Sequence, residues 1–160
     1  MIIDATLSKY CDLIPMERYC EMAKRLGFSG LPPNSLIDAT HSFADFVSGA
    51  VDKLKEEIKA LDVLRADETP HRMLEGDEKS HWYLWGFSGD RTCYFECHDT
   101  RSGDVCAAIL KEARCQVLLT DVYAGYSRAI RIANLERRKK GLLLISDAFC
   151  NAHSRRKFNE

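Results

Sequence analysis

Val63-Leu64-Arg65-Ala66-Asp67-Glu68-Thr69-Pro70 is where the periodicity of the chain changes. Before it, Phe43, Phe46, Val47, Ala50, Val51, Leu54, Ile58 and Leu61 recur at three- and four-residue steps, the apolar stripe of an amphipathic helix. Lys53, Lys55, Glu56, Glu57 and Lys59 fill the other side of that helix. From Val63 the pattern shortens to a half-apolar run that Pro70 closes, which reads as a strand. Asp67 stands inside it.

Beyond that strand, residues 75–80 (Glu-Gly-Asp-Glu-Lys-Ser) read as a polar turn. The aromatic run Trp82 to Phe87 reads as a second strand, Ser88-Gly89-Asp90 as a turn, and Thr92 to His98 as a third strand. Short turns between three strands imply an antiparallel meander. Ser102-Gly103-Asp104 then opens a helix over Val105 to Ala113, and Gln116 to Thr120 is an apolar strand that stops at Asp121. Tyr126 to Leu135 reads as helix, Leu142 to Ser146 as a fifth, buried strand, and a last helix starts near Ala152. In the other direction, Met16 to Leu26 forms a short helix stopped by Gly27; Leu31-Pro32-Pro33 is a break, and Asn34 or Ser35 caps the long helix.

The expected architecture is therefore α/β. A helical region over residues 1–62 precedes an RNase H-like five-stranded mixed sheet over residues 63–160. Three antiparallel strands come first, and crossovers through helices set the last two parallel to the first. In such a sheet the first and fourth strands are central neighbours, so Asp67 and Asp121 fall close together. Paired carboxylates suit hard divalent cations, and such ions serve phosphodiester chemistry. Taken singly, an Asp at a strand end is more often a turn or capping residue.

Composition sets the outer bounds. The 160 residues are 46% hydrophobic, enough for an ordinary globular core. The longest aliphatic run, Leu142 to Ile145, is far short of a membrane span, and Met1 to Thr6 lacks the basic start of a signal peptide. A cytoplasmic protein is expected, and its seven cysteines are expected to be reduced and mostly core residues. The net charge of −1 is low for a nucleic-acid binder. It is unevenly spread, however: Arg128, Arg131, Arg137, Arg138, Lys139 and Lys140 cluster, and Arg155, Arg156 and Lys157 follow. These cations suit DNA phosphates, and a solvated helix face would carry the same residues.

Four segments occur in order: Ala66-Asp67-Glu68-Thr69-Pro70, Tyr83-Leu84-Trp85, Thr120-Asp121-Val122-Tyr123-Ala124-Gly125-Tyr126, and Cys150-Asn151-Ala152-His153-Ser154-Arg155-Arg156-Lys157-Phe158. Together they closely resemble the transposases of insertion-sequence family sixty-six, whose segments read A-D-E-T-P, Y-L-W, T-D-G-Y-A-G-Y and C-W-A-H-A-R-R-K-F. Val122 stands for the usual Gly, and Asn151 for a Trp.

The resemblance implies a DDE transposase catalytic domain. Asp67 and Asp121 would be its first two acids, with Mg2+ or Mn2+ as cofactor. Transposon-end and target DNA would be the partners, and the full-length protein would be a homo-oligomer. The family's third acid, a Glu, lies beyond the last of these motifs, so the chain is expected to stop short of it. Asp147 is a weak candidate to substitute, with Glu68 and Glu160 behind it. Cys150 and His153 form a C-x-x-H pair, read as packing before metal binding because a structural zinc site needs about four ligands. The alternative function is an inactive transposase remnant serving as a binding or oligomerisation module.

Overall fold

The structure, a computed structural model, describes residues 1–73, 81–150 and 155. Its elements run α1 (Ile2–Tyr10), α2 (Met16–Arg25), α3 (Pro33–Lys59), β1 (Val63–Arg72), β2 (His81–Ser88), β3 (Cys93–His98), α4 (Gly103–Leu110), β4 (Val117–Thr120), α5 (Ala124–Lys139) and β5 (Ser146–Phe149). The expected turn at 75–80 lies outside the described residues. So does the last helix, apart from Arg155, which is helical and exposed. Among the described residues no helix is long and apolar enough to cross a membrane.

The chain divides into two compact units, Met1–Val51 and Asp52–Glu160. In the first, Ala5, Met16 and Leu36 form a small core against Tyr19, Cys20 and Ile37. Gly27 stops α2 as expected, with φ +92°, a left-handed conformation that glycine adopts without steric cost. The apolar stripe of α3 is helical, but much of it is not covered: Phe46 is 84% exposed, and Val51 and Leu54 are exposed too. Ile58 is the one residue of the stripe that is fully buried, in the core of the second unit. The boundary between units thus falls inside α3, earlier than the 62/63 division read from periodicity.

The second unit is a five-stranded mixed sheet in the order β3-β2-β1-β4-β5. β1, β2 and β3 are antiparallel neighbours, and β1, β4 and β5 are parallel. This is the expected RNase H-like arrangement. Side chains alternate across a strand, and here the two faces differ sharply. Leu64, Ala66, Trp85, Phe87, Tyr94 and Leu118 point to one side, where residues of α4 and α5 bury them. Arg65, Asp67, Leu84, Phe95 and Leu119 point to the other, which stays open in the described structure.

Two strand expectations change. β1 runs through Pro70 to Arg72, and Pro70 still pairs with Tyr83. β5 begins at Ser146, and Leu142, Leu143 and Leu144 are exposed connection, not buried strand. The cysteines also differ from expectation. All seven are reduced, but only Cys106 and Cys115 are buried.

Arg137 explains why the chain reaches β5 late. It was read as a DNA contact, but its guanidinium is buried and inside the fold. Nε donates to the Leu143 carbonyl at 2.7 Å, Nη1 to those of Leu110 (3.2 Å) and Ala113, and Nη2 to that of Cys115 at 3.1 Å. The cation therefore ties the end of α4 and the strand β4 entry to the connection before β5. Arg137→Met should cost about 3 kcal/mol or more in urea unfolding, because several buried carbonyls lose their donor. Arg138→Met, at an exposed position, should stay within about 0.5 kcal/mol. Equal effects would show that the buried cation is not what holds this region.

Candidate active site

The parallel register of β1 and β4 sets Leu64 opposite Leu118 and Arg65 opposite Leu119. Carried two residues further, it brings Asp67 beside Asp121 on the same face. The register of β4 and β5, which pairs Thr120 with Phe149, continues the row to Cys150, whose N–H donates to the Thr120 carbonyl at 2.9 Å. Asp67, Asp121 and Cys150 all line one open cleft of about 310 Å³, together with Arg65, Gly86 and Phe95 among others.

Backbone donors hold both carboxylates. Asp67 Oδ1 accepts from the Glu68 N–H at 3.0 Å, and Asp121 Oδ1 accepts from the Tyr123 N–H at 2.9 Å. The second bond is the turn that ends β4 and leads into α5, with Tyr123 at the helix N-cap. The buried Thr120 hydroxyl donates to the Asp121 carbonyl at 2.8 Å, which tightens the same turn.

Behind the acids, on the helix side of the sheet, lies a polar cluster that sequence reading missed. Glu68 follows Asp67 and so points the opposite way. Its side chain is 1% exposed. Arg101 grips it with two donors, Nε at 2.7 Å and Nη2 at 2.6 Å, and the Tyr126 hydroxyl donates to its other oxygen. Burial and this bond push the Tyr126 hydroxyl far above the ordinary phenol range, so it is a fixed proton donor. The carboxylate raises the pKa of Arg101 further, so it stays a cation. Arg101 also lies 4.1 Å over the Tyr123 ring, and Tyr123 donates its hydroxyl to the Arg101 carbonyl at 3.2 Å. The strand carrying Asp67 and the turn carrying Asp121 are thereby joined from behind. A pairing of a strand Glu with a distant Arg and Tyr has no local sequence signal.

Gly103 and Gly125 complete this scaffold. A Cβ on Gly103 would collide with the Gly125 carbonyl, so the first turns of α4 and α5 touch only because residue 103 has no side chain. The expected opening of α4 is also as read: the Ser102 hydroxyl accepts from the Asp104 N–H at 3.2 Å.

The other expected site residues separate from the acids. Asp147 lies within β5, opposite buried Leu118, and so on the face away from Asp67 and Asp121. Glu68 is likewise on the far face and already paired. Neither supplies a third ligand, and among the described residues no three of His, Cys, Asp and Glu gather closely enough to hold an ion. His153, Arg156, Lys157 and Glu160 lie outside the described residues.

Arg128, Arg131, Arg138 and Lys139 are exposed on α5, and Lys140 is exposed at its C-cap. That helix packs on the opposite side of the sheet and runs back from Asp121, so its basic end is remote from the acid pair. Arg128 faces Asp104 at 3.4 Å, and Lys139 faces Glu136 at 2.8 Å.

The fold is that of an α/β protein whose mixed sheet brings Asp67, on β1, and Asp121, just after β4, to one cleft. The chain belongs to the transposase IS66 family, whose model matches residues 2–160. No curated protein matches it. Membership agrees with the resemblance carried by the four motifs.

Tyr126→Phe should cost about 1.5–3 kcal/mol in urea unfolding, because it removes a buried bond to a charged group. A loss under about 0.5 kcal/mol would mean that Glu68 does not depend on this donor.

Proposed function

We propose that this chain carries the first two acids of a metal-dependent DNA strand-cleavage and strand-transfer centre. The observation that supports this reading is the level placement of Asp67 and Asp121 on one open face. Family membership, which implies DNA as the partner, points the same way. The two carboxylates offer hard oxygen donors, as Mg2+ or Mn2+ requires, and they fit such an ion as a partial set. When bound, a divalent metal supplies charge neutralisation and an activated oxygen at the phosphodiester.

The chain's own contribution is positioning. The Glu68 and Tyr123 N–H groups each hold one oxygen of an acid, which restrains both side chains. Rigid carboxylates lose little entropy on binding a cation, and pre-orientation of this kind is how phosphoryl-transfer centres gain much of their rate. The third carboxylate of the triad is not among the described residues, so the reading places it elsewhere in the protein. The exposed cations of α5, with Arg155, would bind flanking DNA away from the acids and would not touch the scissile phosphate.

A second reading, an inactive remnant serving as a binding module, gains support from the lack of a third ligand near the pair among the described residues. Calorimetry separates the two. Mn2+ should bind this chain, and Asp67→Asn and Asp121→Asn should each weaken it by at least about tenfold, since each removes one of two nearby charges. Mn2+ heats that are absent in the parent chain, or unchanged in both variants, would show that Asp67 and Asp121 form no cation site on their own and would favour the remnant.

A further inference from the structure

Phe95 packs across the bare Gly86 of the neighbouring strand, yet most of its ring faces solvent. It sits on β3 on the open face of the sheet, and it is 58% exposed. Full burial of a phenyl ring is worth roughly 1.5–3 kcal/mol, so the exposed part of Phe95 forgoes a share of that, and Phe95 has no polar atom to offset it. The ring is also held in a definite place. Phe95 pairs with Gly86 on β2, and Gly86 pairs with Asp67 on β1. A Cβ on Gly86 would stand 3.0 Å from Phe95 Cε1, 3.3 Å from Cδ1 and 3.8 Å from the Asp67 carbonyl oxygen. The ring therefore lies down across the bare glycine towards the strand of the first acid. It lines the same cleft as Asp67 and Asp121.

We infer that Phe95 is a stacking platform for a nucleobase of the DNA strand held at Asp67 and Asp121. The inference rests on the transposase reading above and extends it to a binding subsite. Neighbouring strands are about 4.8 Å apart, so the Phe95 and Asp67 backbones are separated by about 10 Å, and the lean of the ring shortens this. That is the scale of a nucleotide, whose base lies one sugar away from its phosphate. A flat apolar ring offers any base a π-face and reads no hydrogen-bond pattern, so the subsite would hold a base without selecting its identity. Gly86 acts as the spacer: a side chain there would lift the ring off the sheet. The platform requires the base to be unpaired, so the DNA ends bound here are frayed or single-stranded at this nucleotide.

The test uses a short single-stranded DNA oligonucleotide containing 2-aminopurine, bound to the whole chain in the presence of Ca2+. Phe95→Ala should weaken binding by about five- to 150-fold, the range that one stacked base spans, and should relieve the quenching of 2-aminopurine. Phe95→Trp should keep both. With an oligonucleotide made abasic throughout, Phe95→Ala and the parent chain should bind equally. The platform is overturned if the alanine variant binds like the parent, if its defect persists on the abasic strand, or if the parent binds no oligonucleotide. A changed sedimentation mass for Phe95→Ala would also overturn it, because a protein surface would then be the occupant. Mn2+ calorimetry on the same samples separates the two levels. Intact Mn2+ binding without a stacking effect sinks the platform alone, whereas no Mn2+ binding by the parent sinks the metal-centre reading beneath it.

Discussion

The parallel ladder between β1 and β4 is the constraint on which the site depends. Side chains alternate in a strand, so a slip of one residue would send Asp121 to the helix side and leave Asp67 alone. The register is held by apolar content: Leu64 and Leu118 are paired, fully buried and packed beneath α4 and α5. Burial of those side chains therefore decides where the carboxylates stand, although neither acid takes part in the core. The open face inherits its geometry from the closed one.

The closed face also carries polar contacts that hold the two acid-bearing segments together. Glu68 on β1 is buried, and a buried carboxylate is tolerable only when its charge is met. Arg101, entering from the segment after β3, and Tyr126, from α5, meet it. Because Tyr126 stands shortly after Asp121, this cluster joins the first acid's strand to the second acid's turn. A lattice of this kind resists small movements that an apolar contact would permit, which keeps the two segments in place relative to each other. Arg137 does similar work at the other end of the sheet, where four carbonyls replace a carboxylate.

The two faces divide the labour. Aromatic and aliphatic residues on the helix side supply cohesion, while the other side presents Asp67, Asp121, Cys150 and Phe95 along one cleft. Among the described cations, Arg65 lines the cleft and pairs with Asp90, whereas those of α5 lie on the helix side of the sheet.

Periodicity alone was enough to place the helices, the order of the strands and the two aspartates, because 3.6- and 2-residue patterns are local consequences of which face is buried. Spacing between Asp67 and Asp121 also anticipated their placement at one cleft, since a meander and one crossover return the chain to the strand beside its start. What local pattern did not carry was anything decided by partners distant in sequence. Arg137 looked like its basic neighbours, and only the convergence of four carbonyls made it a core residue. Leu142 to Leu144 looked like a buried strand, but the pairing of β5 with β4 begins at Ser146, which moves Asp147 into the strand and onto the wrong face for an acid ligand. The stripe on α3 was read correctly as helix, but its exposure could not be read, because amphipathicity records a preference for burial and not the presence of a neighbour. The sequence by itself determined most of the elements, their order and the placement of Asp67 and Asp121 at the ends of neighbouring strands. The tertiary structure decided which charges are spent inside the fold and which face the cleft, because that depends on register and on contacts between residues that no local window contains.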